Sequence, residues 1–171
     1  VKDNGGQVIT GKNESAYKPV TIKNGVKLRS TTVHELVLDS DVFINVPVLK
    51  NHGGATMSIT MKNLMGIVWD RGFWHRNDLH QCIADFPLWR KPDLNVIDAY
   101  RVMKKNGPRG VSVADTTIYK MQVVSSDIVA ADAAAAKIFG AEPADIGHIR
   151  LAAEHGLGTM DLTKLDIQRI S

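Results

Sequence analysis

Three apolar runs along the chain predict the strands of a buried sheet. They cover residues 42–49, 94–98 and 121–126, and none shows the regular polar alternation of a half-exposed strand. Runs of this kind are typical of strands covered on both faces. We therefore expect an α/β fold with these strands adjacent and central in a mixed, mainly parallel sheet flanked by helices. A two-layer α+β sandwich remains the alternative, because the first thirty residues are β-rich.

Helical spacing and end signals follow each of these strands. Residues 57–68 begin with strand-like alternation and continue with helical spacing, which favours a helix over the second half. The alanine-rich run after Asp127 ends at Gly140, as expected for a capped helix, and Asp132 inside it faces either the same crevice as Asp127 or the solvent. Further helices are expected over residues 78–88, capped by Asp78, and after Pro143, and residues 165–170 predict a last short strand.

The first thirty residues alternate short β-prone pieces with turn signals such as Asn24-Gly25, which predicts hairpins or edge strands. Thr32 and Glu35 have the spacing of a capping box that opens a short helix. No shift in composition divides the chain, so residues 1–171 are expected to form a single α/β domain with a β-rich segment at 1–30 and a strand-helix core at 31–171.

Composition excludes several classes of function for this segment. The 171 residues are 44% hydrophobic and carry a formal charge of +3 without a basic block or a recognition motif, so no nucleic-acid partner is expected. The single cysteine, Cys82, excludes an internal disulfide or a cluster held by several thiolates of this chain. No apolar run has membrane-spanning length, and the sequence identifies neither a cofactor nor an oligomeric state.

Polar groups gather where the first buried strand ends. Lys50 and His52 leave that strand and lead into Gly53-Gly54, where the backbone can pass close to a ligand. Lys62 and Asn63 interrupt the otherwise apolar run that follows. Ammonium, imidazole and carboxamide groups together suit a carboxylate or a phosphate. We expect Lys50, His52, Lys62 and Asn63 to contact a small anionic molecule.

Three further residues complete the predicted site. Asp98 ends the second apolar strand, where it is placed to accept a proton or to orient His52, so Asp98 and His52 are the candidate catalytic pair. His75 and Asp127 are additional candidates for ligand contact, although Asp127 also fits a helix cap. A metal set of His52, His75 and Asp98 is conceivable, but no metal site is favoured. No serine-hydrolase elbow and no phosphate-loop or dinucleotide fingerprint is present.

Four segments together resemble the bacterial and archaeal proteins of domain of unknown function family 362. They cover about residues 41–170 and are VPVLKNH with MKNLMGIV, DRGFWHRNDLHQCIADF, PDLNVIDAYRVMKKNGPRG, and VVSSDIVAADAAAAKIFG with AAEHGLGTMDL. The resemblance implies an α/β fold and a C-terminal portion of a longer protein. Some members carry a ferredoxin-like cluster domain, and others carry a twin-arginine export signal. The sequence around His75 and His80 resembles the exported members most, which favours a periplasmic location.

The leading functional hypothesis is a domain that binds, or acts on, a small anionic ligand at the carboxyl ends of its strands. Two alternatives stay open. One is a redox-associated accessory module of an iron-sulfur protein whose cluster lies outside this chain. The other is a noncatalytic interaction domain.

Overall fold

The computed structural model describes residues 1–170, and its central feature is a five-stranded sheet built around one long strand. A separate two-stranded sheet lies near the N-terminus. The strands are β1 (Tyr17–Thr21), β2 (Ser30–His34), β3 (Ile44–Asn45), β4 (Val48–His52), β5 (Thr56–Ser58), β6 (Leu94–Met103) and β7 (Thr116–Ser125). The α-helices are α1 (Glu35–Leu38), α2 (Thr60–Asn63), α3 (Arg71–Arg76), α4 (Leu79–Asp85), α5 (Ile128–Phe139) and α6 (Gly147–Glu154).

The order of the strands confirms the mixed, mainly parallel sheet. β3 and β4 follow one another along the same edge of β6, both parallel to it, with Ile44 opposite Leu94 and Val48 opposite Asp98. β5 runs antiparallel to β4, and β7 runs antiparallel to β6 on its other edge. The three predicted strands are therefore adjacent. The prediction that all three are central is wrong, because β7 forms an edge and pairs with β6 alone in the described residues.

One face of the sheet is open, which corrects the expectation of strands buried on both faces. Pro47 interrupts the first apolar run, which forms the short β3 and then β4. The side chains of Val46, Val48 and Tyr100 are exposed to 61%, 46% and 53%. Alternate positions on the opposite face are buried, as for Leu49. The apolar run therefore reflects a strand with one covered face and one apolar but open face.

Helices cover the other face and enclose the core. α5 packs on β6 and β7, and its alanines allow the helix to approach the sheet closely. Its ends are as predicted, with Asp127 as N-cap and Gly140 in the left-handed conformation after the last turn. The helix expected in the second half of residues 57–68 is confirmed as α2 followed by a 3₁₀ turn. No helix of residues 1–170 has both the length and the apolar character needed to cross a membrane.

The hairpin around Asn24-Gly25 is confirmed as β1 and β2. Local structure departs from the expectations in three other places. The capping box is wrong, because Thr32 lies within β2 and His34 caps α1 by accepting a hydrogen bond from the Leu36 N–H. Residues 165–170 form no strand, and β6 continues through Met103 instead of ending at Asp98.

Candidate functional site

His52 lies at the end of β4, where the chain turns through two glycines. Its Nδ1 accepts hydrogen bonds from the backbone N–H groups of Gly54 and Ala55, both at 3.1 Å. An imidazole nitrogen that accepts from an amide carries no proton, so the proton of the neutral ring is on Nε2. Burial lowers the pKa of His52, and the positive charge of Lys62 lowers it further. His52 therefore presents a neutral N–H donor.

Lys62 lies on α2 and is the most strongly perturbed lysine of the site. Burial, reinforced by the charges of Lys50 and Arg71, lowers its pKa to about 8. The Nζ atom lies 2.9 Å from the Met65 Sδ. Within residues 1–170, Lys50, Lys62 and Arg71 form no ion pair with a carboxylate. Lys62 and His52 each respond to the charge of Lys50, so the three side chains are neighbours. Their common contact with an anion stays a prediction.

Two more histidines border this group. The His75 ring on α3 stacks nearly parallel to the His52 ring, with centroids 6.2 Å apart. Burial and the charge of Lys62 lower the pKa of His75. His80 lies on α4, and burial lowers its pKa although Asp78 acts in the opposite direction. His75 and His80 lie on different helices, and both act on His52 in the direction that lowers its pKa. We call Lys50, His52, Lys62, His75 and His80 the cationic site.

The other three predicted residues have different roles. The Asn63 amide donates to Asn45 Oδ1 at 2.8 Å, within a side-chain network that joins α2 to the sheet. Asp127 caps α5, and its carboxylate also accepts a hydrogen bond from the Thr159 N–H at 3.0 Å. Asp98 is exposed in the middle of β6, and its Oδ1 accepts from the Tyr100 N–H at 2.8 Å. The strand-end position predicted for Asp98 is therefore wrong.

A buried carboxyl group lies directly beneath α2. Asp132 on α5 is fully buried, and its Oδ1 accepts from the Thr60 N–H at 2.7 Å and the Thr60 hydroxyl at 2.5 Å. Its Oδ2 accepts from the Met61 N–H at 3.2 Å. Burial raises the pKa of Asp132 to about 7, although these hydrogen bonds act in the opposite direction. The sequence left the direction of Asp132 open, and the structure turns it inward.

A buried histidine connects this carboxyl group to the cationic site. The His148 ring on α6 is fully buried, and its Nδ1 lies 3.2 Å from the His80 Nδ1. Burial lowers the pKa of His148 to about 3, and the nearby His80 and Lys62 act in the same direction. The His148 Nε2 has no hydrogen-bond partner among the described residues and lies 4.0 Å from the Asp132 Oδ2. One signal could have found this residue from the sequence, namely a polar ring within the mainly apolar segment IGHI.

No metal centre accompanies these histidines in residues 1–170, where no three His, Cys, Asp or Glu side chains are grouped as metal ligands. The set of His52, His75 and Asp98 does not form, since Asp98 is exposed in mid-strand. A groove of about 430 Å³ is lined by Lys12, Tyr17, Trp69 and Arg71 among others, and none of the five residues of the cationic site lines it. Arg71 alone connects the two, because its charge lowers the pKa of Lys62.

Comparison with known proteins places the chain in a family. A thylakoid-associated protein of Synechocystis sp. is 30% identical over an alignment that covers 57% of this chain and 35% of that protein. The chain thus spans about a third of the length of this relative. No solved structure matches the chain. The family model described as domain of unknown function (DUF362) matches residues 1–137, including the first forty residues, which the four resembling segments do not cover. The chain belongs to the DUF362 family.

Proposed function

We propose that the cationic site binds a small anionic compound through the ammonium groups of Lys50 and Lys62 and the Nε2–H group of His52. The observation that carries this proposal is the environment of Lys62, which is partly buried between two other cations with no acidic partner in the described residues. Crowding like charges in a partly buried position costs free energy. A bound anion would offset that cost and raise the pKa of the lysine again.

The chemistry of the donors supports a carboxylate or a phosphate as the bound group. Lysine ammonium groups supply point charges, and a neutral imidazole N–H adds a directed hydrogen bond. The Nδ1 atom of His52 already accepts hydrogen bonds from two backbone amides, so only the Nε2–H group is available to a ligand. In a reaction, His52 would therefore act first as a hydrogen-bond donor or acid. Asp98 remains a proposed proton acceptor only if a substrate extends to the open face.

Calorimetric titration with sulfate, a divalent anion that does not titrate near neutral pH, tests the binding proposal. We expect Lys62→Met to weaken binding about ten- to hundredfold, as expected for removal of one charged contact. Lys23→Met is the matched control, since Lys23 is exposed and lies in the turn between β1 and β2. Equal sulfate affinity for the wild type and Lys62→Met, with both proteins folded, would refute the proposal.

A second candidate, a noncatalytic interaction domain, has its own supporting observation. The open face of the sheet presents large apolar side chains, including Val46, Val48, Tyr100 and Val124. Contiguous apolar surface of this kind is often buried by another protein segment. The redox-associated module stays a prediction, and the iron content of the purified full-length protein would test it.

A further inference from the structure

We propose that His80, His148 and Asp132 form a proton relay that links the cationic site to the protein interior. When an anion binds beside His80, the proton on His148 Nδ1 moves to His80 Nδ1, which releases the hydrogen bond that it accepted from the His148 backbone N–H, and the Asp132 carboxyl proton moves to His148 Nε2. The result is a positive His80 facing the anion and a negative Asp132 in the interior, with His148 neutral before and after. This proposal rests on the proposed function and extends it by naming how the site balances charge.

The hydrogen bonds of His80 set the direction of the relay. The His80 Nδ1 accepts from the backbone N–H of His148 at 3.1 Å, so in the neutral ring this nitrogen carries no proton. The contact of 3.2 Å between the two Nδ1 atoms then requires His148 to be the donor. A neutral His148 with its proton on Nδ1 has an unprotonated Nε2. That nitrogen is the buried atom without a partner, and it lies on the side of Asp132.

Asp132 is suited to both ends of the transfer. As a carboxylic acid it carries the proton that the relay needs, because its interior position favours the neutral form near neutral pH. As a carboxylate it keeps the hydrogen bonds from the Thr60 N–H, the Thr60 hydroxyl and the Met61 N–H. The separation of 4.0 Å from His148 Nε2 exceeds a hydrogen bond, so the transfer needs one bridging water or a movement of about 1 Å.

Charged groups on α2, β4, α6 and the N-cap of α4 act on the relay. Lys62 on α2 and His52 on β4 disfavour a positive charge on His148, which keeps that ring neutral. Arg150 on α6 disfavours a positive charge on His80, and Asp78 favours it. An anion beside His80 acts in the same direction as Asp78. Protonation of His80 is therefore the step that ligand binding promotes, and Asp132 is the buried proton source.

Nitrogen-15 NMR of the ligand-free protein shows which ring nitrogens of His148 and His80 carry protons, and so tests the starting state of the relay. We expect His148 to be protonated at Nδ1 alone and His80 at Nε2 alone at neutral pH, with both rings neutral. A proton on the His148 Nε2, or a doubly protonated His148, would overturn the relay. This measurement stays decisive even if sulfate does not bind, so it separates failure of the relay from failure of the proposed function.

Titration calorimetry with sulfate at pH 6, in two buffers of different ionisation enthalpy, tests the transfer itself. The wild type should take up about one proton per sulfate fewer from the buffer than a protein with an interrupted relay, because Asp132 supplies the proton of His80 and any uptake at His52 or His75 is common to all variants. Asp132→Asn and His148→Gln each interrupt the supply, so His80 should take up about one proton per sulfate from solvent. His34→Gln, outside the site, should behave like the wild type. Equal proton uptake by the wild type and both interrupted variants would refute the relay.

Discussion

His148 Nε2 and Asp132 Oδ2 lie 4.0 Å apart in the protein interior, and both side chains are fully shielded from solvent. Burial acts on them in opposite directions, raising the pKa of the carboxyl group to about 7 and lowering that of the imidazole to about 3. The folded protein therefore keeps one proton on Asp132 between about pH 4 and pH 6.5, where the unfolded chain keeps one on His148 instead. Folding therefore moves a proton from His148 to Asp132 and leaves the number of protons bound by the two groups unchanged.

Replacing His148 should expose the pH dependence of Asp132. The folded pKa of Asp132 exceeds its unfolded value, so its contribution to stability is complete below about pH 4 and is lost as the pH rises through 7. Relative to the wild type, His148→Gln should thus lose on the order of 4 kcal/mol of unfolding free energy between pH 4 and pH 7. Urea unfolding at a series of pH values measures this. A difference from the wild type that does not vary with pH would contradict it.

Replacing Asp132 should reveal the opposite dependence. The folded pKa of His148 lies below its unfolded value, so its contribution is present above pH 6.5 and is lost as the pH falls toward 3. Asp132→Asn should therefore lose about 4 kcal/mol of unfolding free energy between pH 6.5 and pH 3, whereas the wild type should lose less than about 1 kcal/mol, because its Asp132 contribution grows over the same range. The same unfolding series provides the test, with Asp166→Asn, an exposed change near the C-terminus, as control. If Asp132→Asn tracks the wild type across this range, the two groups are not linked in this way.

The cap of α5 gives a prediction about stability alone. Asp127 accepts hydrogen bonds from the Val129, Ala130 and Thr159 N–H groups, so Asp127→Ala should lower the unfolding free energy by about 1–2 kcal/mol. Sulfate affinity should not change. Asp127→Asn keeps an acceptor oxygen and should cost less. Weaker sulfate binding with unchanged stability would instead restore Asp127 to the ligand-binding site for which the sequence made it a candidate.

Elements defined by local signals could be predicted from the sequence. Helix α5 begins after Asp127 and ends before Gly140, as expected. An N-cap residue and a left-handed glycine each act on the helix end next to them, so their effect can be predicted from the local sequence. Asp78 likewise caps α4 by accepting from the Gln81 N–H. The open face of the sheet could not be predicted, because the apolar residues of β3 and β4 do not reveal where the helices pack. Tertiary arrangement decides which strand faces are covered.

The same distinction explains the candidate site. Lys50, His52 and Lys62 come from one short segment, so the sequence already brings them close together. His148 lies 68 residues from His80 and reaches it only because α4 packs on α6. Asp132 turns inward to receive the amides of α2, a contact between elements 72 residues apart. Periodicity within a single helix carries no information about such pairings.

The open face of the sheet provides the last prediction, which concerns Asp98. Its side chain is exposed in the middle of β6 and accepts a hydrogen bond from the Tyr100 N–H, and its carboxylate is not among the groups that act on the pKa of His52 or Lys62. Asp98→Asn should therefore change the unfolding free energy by less than about 0.5 kcal/mol and leave sulfate affinity unaltered. Lys62→Met, measured in the same titration, provides the loss of sulfate affinity expected when a residue of the cationic site is removed. If Asp98→Asn instead weakens sulfate binding or abolishes a turnover found for the protein, Asp98 belongs to the functional site despite its position in mid-strand.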